Sequence, residues 1–235
     1  MLNWVKDYPR IFQPEYRLSW STPLPEQGAF PAALMDSVAA YKYLITDLGF
    51  EPENILIMGE SAGGNLAFQL TRYISQMSLP GLGLPRGQLI LSPTADWGFT
   101  QVGIGGAFER NTDTDMVHSF LAGFATRSMV GRLPASAAWE NSWISPGSLR
   151  LPHPKGLFSG LPPTCMIVGG VEITVDPMRT LRDRIVADNG EAALAYKELT
   201  WGTHVPMCHP WHEPEKSEGY EFAAKWIASL EPGQC

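Results

Sequence analysis

A serine, Ser61, lies between glycines in residues 57–67, which read IMGESAGGNLA. A serine hydroxyl is a weak nucleophile until a base removes its proton, and it must project from a tight turn so that base and substrate both reach it. Residues 59–63 match the G-x-S-x-G pattern of such a strand-to-helix turn, in which we expect both glycines to let strand and helix approach closely. Ser61 is therefore the candidate nucleophile, and a purely structural turn is the alternative.

Two carboxylates, Glu172 and Asp176, flank one turn in the segment VGGVEITVDPM. Glu172 comes shortly after a predicted strand, which suits a loop carboxylate that orients an imidazole. Asp176 precedes Pro177 at a predicted helix start, where N-capping fully explains an aspartate. Glu172 is the preferred acid of a catalytic triad, and Asp176 is the alternative.

The base that activates such a serine is expected to be a histidine that follows the acid in the chain. His204, in LTWGTHVPM, comes just after a predicted strand, so a loop at the carboxyl edge of the sheet can carry it to the serine. His118 and His153 precede both candidate acids, and His209 and His212 lie further along, next to the last predicted helix. His204 is therefore the candidate general base.

A second set of residues with possible chemistry is Cys208, His209 and His212. They are candidate metal ligands, because cysteine and histidine are the usual zinc ligands. The sequence holds no second ligand pair with the spacing of a zinc finger, and Pro210 stiffens this stretch. We therefore predict that this group does not bind a metal.

The elements that must position these residues alternate along the chain. Four short apolar runs predict strands that are buried on both faces; they lie at residues 54–58, 88–91, 164–168 and 194–199. Helical patterns are found at residues 31–49, from about residue 62, from about residue 176 and from residue 214. Strands that alternate with helices predict an α/β fold with a mostly parallel sheet and helices on both faces.

Residues 99–155 interrupt this alternation. They contain the segment GIGGAF, many polar turns, and the aromatic residues Trp139 and Trp143. We predict one domain over residues 1–235, in which this excursion shapes the substrate pocket; a long surface loop with short helices is the alternative.

Composition excludes several partners. The net charge of −7, without a cluster of lysines and arginines, argues against nucleic-acid binding. No run of 18 or more apolar residues exists, and residues 1–10 lack the apolar region of a signal peptide. Cys165, Cys208 and Cys235 are too few for a disulfide framework. We predict a cytoplasmic chain without a transmembrane segment.

Taken in order, these motifs resemble the hormone-sensitive-lipase-like branch of the α/β-hydrolase superfamily, which includes arylacetamide-deacetylase-type and fungal esterases. The matching segments are YRLS from Tyr16, FPAALMDSVAAYKYL from Phe30, GESAGGNLA from Gly59, LILSP from Leu89, VGGVEITVD from Val168 and GTHVPM from Gly202. The resemblance runs from about residue 14 to the C-terminus and implies the α/β-hydrolase fold.

By this resemblance Ser61 is the nucleophile, His204 the general base and Glu172 the acid. The implied reaction is hydrolysis of a small or lipophilic carboxylic ester, often with a short acyl group, through an acyl-enzyme. The backbone N–H of Ala62 supplies half of the oxyanion hole. The implied partner is a small-molecule ester, and the resemblance implies no metal and no organic cofactor.

The sequence departs from this family at the other half of the oxyanion hole. The family carries a His-Gly-Gly-Gly loop before the Tyr-Arg-Leu strand, but only 15 residues precede Tyr16 and no His-Gly-Gly occurs in the sequence. The leading strands and most of the N-terminal cap are therefore expected to be reduced or missing. Loss of one oxyanion donor typically costs about 10²–10³ in rate. Gly105 and Gly106 are candidate replacements, and a flexible loop is the alternative there.

Three functions follow from these observations. A complete set of serine, acid and histidine favours a serine esterase or deacetylase. The missing loop favours a non-catalytic binding module or an inactive, truncated hydrolase. An acyltransferase or an acyl-releasing enzyme of a biosynthetic pathway is a further alternative, because nucleophiles other than water can also resolve an acyl-serine.

Overall fold

A computed structural model describes residues 8–117 and 121–230, so His118 and Cys235, named above, lie outside the described residues. The strands are β1 (Leu56–Glu60), β2 (Gly87–Leu91), β3 (Thr164–Gly169) and β4 (Leu194–Leu199). The α-helices are α1 (Ala32–Thr46), α2 (Ser61–Met77), α3 (Ala107–Asn111), α4 (Thr126–Val130), α5 (Ala137–Glu140), α6 (Val175–Asn189) and α7 (Glu215–Ser229). Short 3₁₀ turns cover Pro52–Asn54, Glu191–Ala193 and Pro206–Cys208, and Leu121–Ala125 is a π-helical turn.

The four strands form one parallel sheet in the order β1-β2-β3-β4. Successive side chains of a strand point to opposite faces, so each buried strand needs two apolar covers. Leu89 of β2 and Ile167 of β3 pack against α7 on one face. Ile90 of β2 and Met166 of β3 pack against α2 and α6 on the other. The predicted fold class, a parallel sheet with helices on both faces, is confirmed.

The burial of the strands differs from the prediction at both outer strands, because no residue of β1 is buried and β4 is buried only at Leu194 and Leu199. Every residue of β2 and β3 is buried, as their unbroken apolar runs predict. β1 lies at an edge of the sheet, with a strand beside it on one side among the described residues, and Met58 is 46% exposed. The prediction that β1 is buried on both faces is therefore wrong, because burial of a strand depends on neighbours that its own sequence does not contain.

Helix α1 follows the predicted pattern closely. Leu34 and Tyr41 are buried, Val38 and Ile45 pack beside them, and this group contacts α2. Because α2 begins at the candidate nucleophile, α1 supports the helix that carries the site.

The excursion contains three short helices, α3, α4 and α5, and is fastened to α2. The Arg72 side chain donates to the backbone oxygen of Ser142 at 2.9 Å, and its guanidinium lies 4.1 Å from the ring centroid of Trp143. The excursion is therefore connected directly to the helix that begins at Ser61. No helix in the two described ranges has the length and apolar character that crossing a membrane requires.

Candidate active site

Ser61 is the first residue of α2 and directly follows β1, with a backbone φ of 51°. A non-glycine residue rarely adopts a positive φ, and such strain collects at functional sites. The bend depends on Gly59, because a Cβ at that position would lie 2.1 Å from the backbone oxygen of Gly63. The sequence thus forms the sharp strand-to-helix turn that the G-x-S-x-G pattern predicts.

The two glycines that follow Ser61 have different roles. A Cβ on Gly63 would meet nothing closer than the Tyr16 hydroxyl at 4.0 Å, outside its own helix and chain neighbours. A Cβ on Gly64 would lie 3.1 Å from the Cα of Pro93. The prediction that Gly63 lets the strand and the helix approach closely is wrong. Gly64 is the glycine that permits a close contact, because it is the residue of α2 that faces the loop after β2.

Ser61, His204 and Glu172 form one hydrogen-bonded series. The Nε2 atom of His204 lies 2.8 Å from Ser61 Oγ, and its Nδ1 atom lies 2.8 Å from Glu172 Oε2. With the ring proton on Nδ1, His204 donates to the carboxylate and accepts from the serine hydroxyl. The structure therefore brings together the three residues that the sequence selects as nucleophile, base and preferred acid.

The Glu172 carboxylate is completely buried and held by further donors. Its Oε1 atom accepts the Ser92 hydroxyl and the backbone N–H of Gly169, each at 2.6 Å. Burial raises the pKa of Glu172 above its ordinary 4.5, while hydrogen bonds from His204, Ser92 and Gly169 favour the ionised form. This network fixes the orientation of the carboxylate toward the imidazole.

The loop that carries His204 is fixed by Asp115, a buried residue of the excursion. One oxygen of its carboxylate accepts the backbone N–H of His204 at 3.1 Å, and the other accepts that of Ile173 at 2.9 Å. Burial opposes a charged imidazole, but the hydrogen bond and negative charge of Glu172, with smaller effects of Asp115 and Glu60, raise the pKa of His204 above 6.5. Asp115 therefore joins the acid loop to the histidine loop.

Sequence reasoning missed Ser92, Asn111 and Asp115. Ser92 accepts the backbone N–H of Val205 in addition to its bond with Glu172, and Asn111 donates to the backbone oxygen of Glu172 at 2.9 Å. A signal existed for Ser92, because it directly follows a buried strand at the carboxyl edge of a parallel sheet. Asn111 and Asp115 lie in the excursion, where no spacing in the sequence marks them.

Asp176, the alternative acid, is bound elsewhere. Its carboxylate accepts the backbone N–H of Ala107 at 2.7 Å and pairs with Arg179 at 2.9 Å. It is also not an N-cap, because α6 begins at Val175 with Thr174 at the N-cap position. The N-capping prediction for Asp176 is therefore wrong, since the helix begins one residue earlier and the carboxylate contacts α3 instead.

The candidate oxyanion donors differ in whether their backbone N–H groups already have hydrogen-bond partners. Ala62 is the second residue of α2, so its backbone N–H has no partner within the helix. The N–H of Gly105 donates to Glu109 and that of Gly106 donates to the backbone oxygen of Gly103. The two glycines that the sequence offers as replacement donors are thus already engaged within their own loop.

The candidate metal ligands have other partners. The Cys208 thiol donates to Glu60 at 3.1 Å, the ring of His209 stacks on Trp211 at 4.5 Å, and His212 Nε2 lies 2.7 Å from the Thr203 hydroxyl. Burial, with the neighbouring Glu60, raises the pKa of Cys208 to about 11, whereas zinc binds the thiolate. Within the described parts of the chain, no group of three or more such side chains could hold a metal ion.

An apolar cavity of about 440 Å³ lies within the excursion. Its walls include Trp97, Phe99, Phe108 and Trp139. Neither Ser61 nor His204 lines it. A space that suits an apolar group is therefore formed by the loop after β2 together with residues of α3, α4 and α5.

Residues 10–205 match the profile of a family described as alpha/beta hydrolase fold. An esterase of Acinetobacter venetianus is 26% identical over 211 residues, with 89% of this chain and 63% of the esterase covered. An acetyl-hydrolase of Streptomyces hygroscopicus is 30% identical over 209 residues, with 86% of this chain and 61% of that protein covered.

A solved structure is also similar to this chain. A hormone-sensitive lipase from a metagenome library superposes with a TM-score of 0.69 at 26% identity, with 92% of this chain and 64% of the lipase covered. This chain therefore spans less than two thirds of the length of each of these relatives.

Proposed function

We propose that this chain, which belongs to the α/β hydrolase fold family, is a serine esterase that hydrolyses a small or lipophilic carboxylic ester through an acyl-enzyme. The observation that carries the proposal is the series Ser61, His204 and Glu172, joined by two contacts of 2.8 Å. The similarity to an esterase and an acetyl-hydrolase supports it. Because this chain spans only part of those relatives, their activities do not transfer without a test.

In the proposed first step, His204 Nε2 takes the proton from Ser61 as Oγ attacks the ester carbonyl carbon. The carbonyl oxygen becomes an oxyanion, which the backbone N–H of Ala62 stabilises. Glu172 holds the imidazole in the required tautomer and stabilises the imidazolium, without taking its proton. The imidazolium then donates its proton to the leaving alkoxide, so an alcohol departs and the acyl group stays on Ser61.

In the second step, water replaces the alcohol. His204 takes a proton from water as the water oxygen attacks the acyl carbon, and the imidazolium returns that proton to Ser61 as the acid is released. Consumption of one water per ester balances the reaction and leaves the enzyme unchanged. The proposed chemistry uses protein groups alone.

A short acyl group is the proposed substrate feature. The name of the Streptomyces relative, acetyl-hydrolase, supports an acetyl ester. We also propose that residues 1–235 form one domain and that the excursion shapes the substrate pocket. Two contacts support this role: Asn111 of the excursion donates to the backbone oxygen of Glu172, and Asp115 of the excursion accepts the backbone N–H of His204.

The proposal is tested by hydrolysis of p-nitrophenyl acetate and p-nitrophenyl butyrate by the purified chain beside Ser61→Ala. Ser78 provides a matched control, because it is a serine with positive φ at the other end of α2 and is exposed. We expect Ser61→Ala to have background activity and Ser78→Ala to match the wild type. Equal, background-level rates for the wild type and Ser61→Ala would reject the esterase and favour the binding-module alternative.

A further inference from the structure

The proposed oxyanion site raises the question of a second donor. The elbow itself offers the backbone N–H of Ala62, and loss of one donor from such a site costs about 10²–10³ in rate. Gly105 and Gly106 use their N–H groups within their own loop. Among the described residues, a candidate for the second donor is a polar group that lies over the first turn of α2.

The Tyr16 hydroxyl lies over the first turn of α2. A methyl group built on Gly63 would lie 4.0 Å from the Tyr16 oxygen and would meet no other atom within that distance outside its own helix and chain neighbours. Gly63 is adjacent to Ala62, whose Cα lies about 3.8 Å away across the peptide bond. The hydroxyl thus lies next to the first turn of α2, one residue along the chain from the backbone donor that the proposed mechanism uses.

Within the described part of the chain, the Tyr16 hydroxyl is also available to donate to a ligand. Its side chain is half-buried, and no hydrogen bond joins the hydroxyl to a residue in the described ranges. The O–H of a phenol donates one hydrogen bond, so this hydroxyl can donate to an oxyanion.

The backbone beside Tyr16 is firmly anchored. The backbone N–H and the Nε of Arg17 each donate to the Asp36 carboxylate at 2.9 Å, and the Arg17 Nη2 donates at 2.8 Å. These hydrogen bonds lower the pKa of Asp36 to about 2, so the carboxylate stays ionised at neutral pH. Asp36 belongs to α1, which packs on α2. Tyr16 is therefore held in a fixed relation to the helix that begins at Ser61.

We propose that the Tyr16 hydroxyl is the second oxyanion donor of this chain, acting with the Ala62 N–H. The inference rests on the proposed esterase function. In the tetrahedral intermediate, the Tyr16 O–H donates a hydrogen bond to the former carbonyl oxygen, and no bond of the tyrosine is formed or broken. Tyrosine hydroxyls are among the side-chain donors that stabilise such oxyanions in other enzymes.

Tyr16→Phe tests the inference, because it removes the hydroxyl and keeps the ring. We expect kcat for p-nitrophenyl acetate to fall by about 10²–10³, with KM changed by less than about twofold. The thermal unfolding temperature should stay that of the wild type, since the hydroxyl makes no hydrogen bond to a described residue. Tyr43→Phe is the matched control, because Tyr43 is an exposed tyrosine of α1, and it should keep full activity.

Inhibition by a boronic acid distinguishes a catalytic role of the Tyr16 hydroxyl from a structural one. Phenylboronic acid forms a tetrahedral adduct with an active serine and so imitates the intermediate. We expect Tyr16→Phe to weaken its inhibition by about the factor lost in kcat. A lower unfolding temperature with unchanged boronic-acid inhibition would overturn the proposal in favour of a structural role.

The outcomes also separate the two proposals. If Ser61→Ala is inactive while Tyr16→Phe hydrolyses ester at the wild-type rate, the oxyanion role of Tyr16 is wrong and the esterase proposal stands. If the wild type is no faster than Ser61→Ala, both proposals are wrong.

Discussion

Ser61 and His204 follow the two outer strands of the described sheet, β1 and β4, yet their side chains lie 2.8 Å apart. Three strand spacings of about 4.8 Å separate such strands, so the loop after β4 must return across the carboxyl edge of the sheet. Ser92 after β2 and Glu172 after β3 lie between them and are hydrogen-bonded to each other. Each strand thus delivers one polar side chain to a single connected network.

The identity of the acid gives the first prediction. Glu172→Gln should lower kcat by about 10²–10⁴, because an amide no longer holds the imidazole in the tautomer that accepts the serine proton. Asp176→Asn should leave kcat close to the wild-type value, since its carboxylate contacts Ala107 and Arg179. Both variants are compared with p-nitrophenyl acetate as substrate. Greater damage from the Asp176 change would show that the acid is wrongly assigned.

The second prediction concerns pH. Only the neutral imidazole can accept the serine proton, so activity is lost as pH falls through the pKa of His204. Glu172 raises that pKa above 6.5, and the acidic limb of kcat/KM should therefore lie above pH 6.5. In Glu172→Gln this limb should move to lower pH while the plateau falls. A limb that stays at the same pH in the variant would contradict the proposed coupling.

Asp115 provides a third prediction. Asp115→Asn leaves one acceptor for two buried N–H groups, those of Ile173 and His204. We expect stability to fall by about 1–3 kcal/mol and kcat to fall by up to about 10²-fold. The acidic limb should also move to lower pH, because the Asp115 charge helps to raise the pKa of His204.

Asp113→Asn is the control for this change, because Asp113 is exposed and two residues away. It should leave urea unfolding and kcat unaltered. If the two variants behave alike, Asp115 has no special role in fixing the loops.

The glycines of the elbow give a fourth prediction. Gly59→Ala forces a methyl group to within 2.1 Å of the Gly63 oxygen, so the free energy of unfolding should fall by about 1–3 kcal/mol or more. Gly63→Ala places a methyl group within a helix, no closer than 4.0 Å to the Tyr16 hydroxyl, and should raise stability by up to about 1 kcal/mol. Urea unfolding of both variants measures the difference. A Gly63 variant as unstable as the Gly59 variant would refute this assignment of roles.

Local patterns predict the elements well. The sequence predicts β4 with the bounds that the structure has, Leu194–Leu199, because a short strand-like segment between turn residues specifies a strand locally. The apolar spacing of α1 likewise identifies the residues that contact α2. The exposure of β1 could not be predicted, since it depends on which strands lie beside it.

The residues of the candidate site also include some that the sequence predicts and some that it does not. Ser61, Glu172 and His204 were accessible to sequence reasoning because turn pattern, chain order and position after strands constrain them. Asp115 was not, because its role depends on where the excursion returns to the sheet. Ser92 is an intermediate case. The sequence shows that it follows a buried strand, but it does not show that its hydroxyl donates to Glu172.

The central claim is that His204 and Glu172 activate the Ser61 hydroxyl, and covalent labelling tests it most directly. The purified chain is treated with phenylmethylsulfonyl fluoride, and the modified residue is located by peptide mass spectrometry. We predict one sulfonyl group, on Ser61, with no label in Ser61→Ala and labelling slowed by about 10²-fold or more in Glu172→Gln. A Ser61 that is left unmodified, or that reacts no faster than the exposed Ser78, would contradict the account.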